Sequence, residues 1–170
     1  LRDSRYKPTS GKFISFKQGL PIISDGNEFT NSFSYNYYKT LKDSNNMVGK
    51  ANFLIKSANS IDGSDVRISK RVNAPYHRLR GFQKGKVGPV DNKDYIGGNY
   101  ASVLNLSTNL PDILSNLEIV DFNYFVDFAN VWGVDYNDAL DKSALRSSTG
   151  IGLNVLTPIG PLSFTLSQPI

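Results

Sequence analysis

The chain has no cysteine and a single histidine, His77. The first absence removes thiol nucleophiles, disulfides and thiolate metal sites together, and the second leaves no basis for a multi-histidine zinc site. Long hydrophobic runs are missing too. None approaches the ~20 apolar residues a membrane helix needs, which excludes a helical membrane protein. Blocks of one charge are also absent: the formal net charge is +4 over 170 residues and the basic side chains are dispersed, which argues against nucleic acid as a partner. The opening Leu1-Arg2-Asp3-Ser4 carries neither an initiator Met nor a signal-peptide pattern, so the sequence reads as a piece of something longer. What the chain does have is 39% hydrophobic and 12% aromatic residues, too apolar a composition for disorder.

Those apolar residues alternate with period two between clusters of Gly, Pro, Asn and Asp, the pattern of strands with two chemically different faces. From about Glu28 to Lys42 one parity holds Phe29, Phe33, Tyr35, Tyr37 and Leu41; the other holds Glu28, Thr30, Ser32, Ser34, Asn36 and Thr40. From Leu117 to Val131 the oily parity is Val120, Phe122, Tyr124, Val126 and Phe128, and the wet parity carries Asp121, Asn123 and Asp127 beside Phe125 and Ala129. Tyr100 to Leu110, about Leu145 to Thr157 and Pro161 to Pro169 repeat the pattern. An all-β fold follows.

Alternation alone fits a soluble β-sandwich as well as a membrane barrel. Connection lengths separate them. Turns are short or moderate at Pro8–Ser10, Ser24–Asn27, Asp43–Asn46, Asn109–Asn116 and Thr157–Gly160, while Ser60–Gly97 and Trp132–Ala144 are long. The long loops fall only on alternate connections. Strands running up and down place alternate connections at opposite ends, and outer-membrane barrels put short turns on the periplasmic side and long loops outside. Strands of about 10 to 15 residues exceed the ~9 to 11 needed to cross a bilayer at a tilt. Phe29, Tyr100, Tyr124 and Trp132 near strand ends suit interfacial aromatic girdles or serve as ordinary strand formers. The expectation is a transmembrane antiparallel up-and-down β-barrel, with the soluble sandwich as the alternative.

Several short motifs make that expectation specific. Arg78-Leu79-Arg80-Gly81-Phe82 resembles the Val-Arg-Gly-Phe signature in the long sixth extracellular loop of the BamA family, within the bacterial surface antigen barrel superfamily. Around it, Gly97-Gly98-Asn99 is similar to the end of that family's loop, and Pro8-Thr9-Ser10-Gly11 to a periplasmic turn upstream. Phe125 to Trp132 resembles a Phe-x-Asp-x-Gly strand end, and Thr157-Pro158-Ile159-Gly160-Pro161-Leu162-Ser163-Phe164 a Ser-Pro-x-Gly-Pro-Leu-x-Phe hairpin. The motifs occur in family order along almost the whole chain. The resemblance implies the C-terminal portion of a barrel, from about the eighth to the fifteenth of sixteen strands. It also implies that the last strand and the soluble POTRA domains are absent, so that residues 1–170 are a partial barrel domain with the Arg-Gly-Phe loop at 60–97.

The resemblance further implies that the loop folds into the lumen and that its arginine meets acids on the inner wall. Parity supplies a partner, because Asp127 lies on the wet face. A guanidinium cannot lose its proton and presents a planar fork of donors, so Arg80 suits a two-point contact with a carboxylate. Gly81 would let the backbone turn beside it. Where many family members have a second acid, this chain has Asn105, which accepts a hydrogen bond without supplying charge, so help from Asp121 is expected. Ala129 replaces a family glycine and puts close backbone approach there in doubt. The competing reading is a solvated Arg80, with Asp127 paired to Lys17, Lys50, Lys56 or Arg146 on other inward positions.

Enzymatic readings do not assemble. Gly81 to Lys86 reads G-x-x-x-G-K, one residue short of a P-loop and without its Ser or Thr. His77 could seed a Ser-His-Asp arrangement, but between Tyr76 and Arg78 in a loop it reads as simply polar. Asp135, Asn137, Asp138 and Asp141 fail calcium-loop spacing and read as a surface acidic loop. Asp121 and Asp127 share a face but stand ~20 Å apart along a strand, too far for an acid/base pair. No catalytic residue, metal or cofactor is expected. The implied function is folding and insertion of outer-membrane proteins in the bacterial outer membrane. Unfolded barrel proteins would be the clients, with assembly-complex lipoproteins and outer-membrane lipids as partners. A two-partner-secretion type translocation pore and a passive porin are the alternatives.

Overall fold

The structure, a computed structural model, describes residues 1–4, 8–22, 26–42, 46–111, 113, 120–158 and 160–170, apart from the side chains of Leu156 and Pro161. Nine strands are present among them: β1 (Gly11–Gly19), β2 (Glu28–Lys42), β3 (Met47–Ser60), β4 (Val90–Asp91), β5 (Asp94–Tyr95), β6 (Tyr100–Asn109), β7 (Val120–Trp132), β8 (Arg146–Thr157) and β9 (Gly160–Pro169). Seven form one sheet in the order β1-β2-β3-β6-β7-β8-β9, and β4 with β5 makes a separate two-stranded ribbon. Every neighbouring pair is antiparallel. The sheet is therefore an up-and-down meander whose sequence neighbours pair directly. Arg2 bridges Gly11, which sets the opening residues beside β1.

The expected strands are borne out to within a residue or two where they are described. The turns expected at Ser24–Asn27, Asp43–Asn46 and Asn109–Asn116, the strand start at Leu117 and position Ile159 lie wholly or partly outside the described residues. The loop expected at Ser60–Gly97 runs between the end of β3 and the start of β6, and contains the ribbon and two 3-10 turns, Ile68–Lys70 and Tyr76–Arg78.

Register carries the alternation across the sheet. One transverse row runs Tyr35–Phe53–Leu104–Phe128, and the next runs Ser34–Leu54–Val103–Ala129. The first parity faces outward. Each of the seven strands shows an exposed large apolar side chain on it: Phe16, Tyr37, Ile55, Leu106, Tyr124, Ile151 and Phe164. So much exposed apolar surface on a single face suits lipid and not water. At the upper rim the rings of Tyr100 and Trp132 stack 5.7 Å apart, an arrangement that suits a membrane interface.

The core lies on the inner face. Leu54, Ala101, Val103, Ala129 and Val131 from β3, β6 and β7 are buried beneath Leu79 and Val87 of the long loop, with Val72, Ala74 and Phe82 packed alongside. The inner wall is thus dry where the loop covers it, although a wet lumen follows from parity alone. The pleat decides which residues share a face, and the covering loop decides which of them water reaches.

In the full-length protein, Leu104→Arg on the middle outward row should cost about 2–4 kcal/mol of barrel stability. Thr165→Arg, on the exposed inward face of β9, should change it by no more than about 0.5 kcal/mol. Denaturant unfolding in lipid vesicles checks the contrast; equal costs would mean that the faces are assigned wrongly.

Candidate functional site: the loop latch

Strand β7 places Phe125, Asp127, Ala129 and Val131 on one inward line, all buried. Asp127 has no exposed surface. A carboxylate so placed must be paired and fully hydrogen-bonded or lose its charge. Its partners arrive from the loop and from β6. Arg80 donates from Nε to Oδ2 at 2.8 Å, from Nη2 to Oδ1 at 2.7 Å and from its backbone N–H to Oδ2 at 3.2 Å. Asn105, directly opposite Asp127 in the β6–β7 register, donates from Nδ2 to Oδ1 at 2.8 Å. The same amide reaches the carbonyl of Arg78 at 2.5 Å. Asn105 therefore serves as a donor to the acid and to the loop backbone, which corrects the expectation that it would be an acceptor. A second carboxylate at this position would repel Asp127; an amide ties it to the loop.

The guanidinium also lies over the buried Phe125 ring, 3.2 Å from its centroid. The ring thus supports the cation while two N–H groups address the carboxylate in a planar fork. Leu79, 2% exposed, enters the apolar core on one side of Arg80. On the other, Gly81 adopts φ +87°, a conformation that side chains disfavour, and a Cβ there would lie 3.3 Å from Ser167 Oγ on β9. Phe82 then packs on the core edge. The four residues of the motif divide the work: an apolar peg, a charged pin, a turn and a second apolar contact.

Asp121 is not brought to Arg80. It stands six residues down β7 opposite Asn154, and the fork of Arg80 is filled by Asp127. Among the described residues, the four hydrogen bonds to the Asp127 side chain come from Arg80 and Asn105, with none from Lys17, Lys50, Lys56 or Arg146.

Two further arginines tether the loop, and sequence reasoning missed both. Arg67 makes a two-point contact with Glu28 at the top of β2, Nε to Oε1 at 2.6 Å and Nη2 to Oε2 at 2.9 Å. Arg71, whose side chain is 1% exposed, reaches Asp135 at 3.1 Å and lies over the ring of Tyr136. Asp135 also accepts the Val66 N–H at 2.7 Å and the Asn99 side-chain amide at 3.0 Å. It is thus an anchor between the two long loops, a correction to its reading as part of a solvated acidic surface. The available signal was an acid at a strand top facing a loop with four arginines, but nothing in the spacing paired them.

Close backbone contact occurs at the base of the loop and not at Ala129, which is packed into the core. A Cβ on Gly98 would collide with the carbonyl oxygen of Trp132, and one on Gly88 would lie 2.8 Å from Val131 Cβ. Gly98 pairs with Val72, Gly97 turns at φ +68°, and Asn99 donates its N–H to Gly133 while accepting from Ala58. Gly160, at φ +130°, opens β9 with Pro161 at the far end of the sheet, remote in sequence register from the latch.

Burial pushes the Asp135 carboxyl up, but the Val66 N–H, the Asn99 amide and the Arg71 charge together bring it below its ordinary value of 3.8. A depressed folded value stabilises the loop fully above that ordinary value, and the contribution is lost as pH falls through the folded one. Protection of the Val66 amide from hydrogen exchange, corrected for intrinsic rate, should hold above about pH 4 and fall in stronger acid; protection unchanged through that range would refute the linkage. For the latch itself, Arg80→Ala in the full-length protein should cost about 3–5 kcal/mol, because it strands a buried charge. It should also open the loop to limited proteolysis. A double-mutant cycle with Asp127→Asn tests the pairing, and additive costs would argue against it.

Comparison with known proteins bears on the family and the fold. The Omp85 superfamily domain matches residues 1–170, the full chain. In solved structures the chain is similar to BamA from Haemophilus ducreyi lacking POTRA domains 1–3, with 28% identity and a TM-score of 0.86. The match covers all of this chain and 37% of that one. Family, sheet and lipid-suited outer face together establish that the chain belongs to the Omp85 superfamily, as a β-barrel protein of the bacterial outer membrane.

Proposed function

We propose that the chain is the latch-bearing part of an outer-membrane insertase, which folds and inserts β-barrel proteins without enzymatic chemistry. The observation that carries this reading is the fully buried Asp127 held by Arg80 and Asn105, which fastens a long loop across the inner wall. A wall so covered favours a machine whose interior is occupied and shaped over a passive porin, whose interior must stay open to solutes. The likeness to BamA along the whole chain supports assembly over secretion among the roles found in the superfamily. In this reading residues 1–170 are a partial barrel domain carrying the loop at 60–97, with further wall strands and POTRA domains supplied by the full-length protein. Its clients are unfolded outer-membrane proteins, delivered with the help of assembly lipoproteins.

Full-length protein reconstituted in vesicles with its accessory lipoproteins, and offered an unfolded barrel client, tests the reading. Wild type should accelerate client insertion. Arg80→Ala should slow it about tenfold or more, the factor carried by each ~1.4 kcal/mol of lost latch stability. Passage of a secreted polypeptide into the vesicles, with no acceleration of client insertion, would assign the translocation role instead.

A further inference from the structure

The outward face carries a trough of about 360 Å³ along the lower half of β3. Its floor is Gly49 and Ala51, the smallest residues in their rows. One row runs Lys39–Gly49–Thr108–Tyr124 and the row above runs Tyr37–Ala51–Leu106–Val126. Tyr37 and Leu41 rise on one side, Leu106 and Tyr124 on the other. The Leu41 side chain leans over the floor, close enough that a Cβ on Gly49 would stand 3.1 Å from its Cδ1. The result is a narrow apolar slot running along the strand, the direction of the acyl chains in a surrounding bilayer.

Charge lies beside the slot. Lys39 lines it and is exposed, and Lys12, paired with Tyr37 across β1–β2, shares the outward parity and is also exposed. Among the described residues neither lysine makes an ion pair with a carboxylate. Cations on lipid-facing positions are costly unless their stems carry the ammonium to the interface. Both meet that condition. Lys12 is the second residue of β1 and Lys39 lies three before the end of β2, next to the short connection at 43–46. Short connections mark the periplasmic side of an outer-membrane barrel. Two cations at the membrane boundary, unpaired among the described residues and beside a slot fitting a hydrocarbon chain, match one chemistry: a phosphate joined to an acyl tail.

We propose that this trough is a binding site for one anionic phospholipid of the periplasmic leaflet, its phosphate held by Lys39 and Lys12 and one acyl chain laid over Gly49 and Ala51. Bound there, the lipid is a fixed part of the wall around β2 and β3. Hydrocarbon contact alone gives no preference over bulk lipid, so selectivity rests on the lysines. Each accounts for about a fivefold factor in affinity.

The test uses full-length protein, stripped of lipid in detergent, titrated with phosphatidylglycerol or with zwitterionic phosphatidylcholine, and weighed by native mass spectrometry. Wild type should retain one more tightly held phosphatidylglycerol than either of two variants. Ala51→Phe fills the slot, and Lys12→Glu combined with Lys39→Glu reverses the charge; phosphatidylcholine retention should be the same in all three. Heat-modifiable mobility identifies the folded barrels, and a folded variant of either kind suffices to decide. Phosphatidylglycerol retention equal to wild type in a folded variant, or equal loss of both lipids, overturns the proposal.

Discussion

A carboxylate with no exposed surface, held in the wall of a barrel, constrains everything around it. Arg80 and Asn105 supply the hydrogen bonds that so buried a carboxylate needs. That demand fixes where residues 78–82 must lie. With Arg80 seated on the Phe125 ring, Leu79 enters the apolar strip of Val103, Ala129 and Val131, and the loop covers that strip. The polar contact sets position, because it is directional. The apolar contacts beside it contribute burial, at roughly 25 cal/mol for each Å² taken from water.

The loop is held at intervals and not at one point. In chain order Arg67, Arg71 and Arg80 reach Glu28, Asp135 and Asp127, which belong to β2, the second long loop and β7. Glu28 lies far from the other two in sequence, while Asp127 and Asp135 stand on β7 and in the loop that follows it. A loop of this length would lose much conformational freedom on ordering, and distributed anchors divide that cost among short segments. The glycines at 88 and 98 complete the arrangement by letting the loop backbone approach Val131 and Trp132 within distances no side chain allows.

The two faces of the sheet serve different solvents. Outward side chains meet lipid, and the lysines among them cluster near the short-connection end, where a long stem reaches the headgroups. Inward side chains meet water or the loop, and the boundary between those fates runs across β7 between Asn123 and Phe125, the first half-buried and the second fully buried.

Strands and their faces were legible because alternation is a local property: Glu28–Lys42 shows it letter by letter, and antiparallel neighbours in a meander need no long-range information to find each other. The Arg80 motif was legible by resemblance, and the inward parity of Asp127 by counting along β7. Three matters were decided by tertiary structure alone. Asn105 donates instead of accepting, because its neighbour across the ladder is an anion. Arg67 and Arg71 found Glu28 and Asp135, because loop closure brings together residues 39 and 64 positions apart. The inner wall turned dry above Phe125, because burial depends on what folds over a face and no pattern within a strand records its cover.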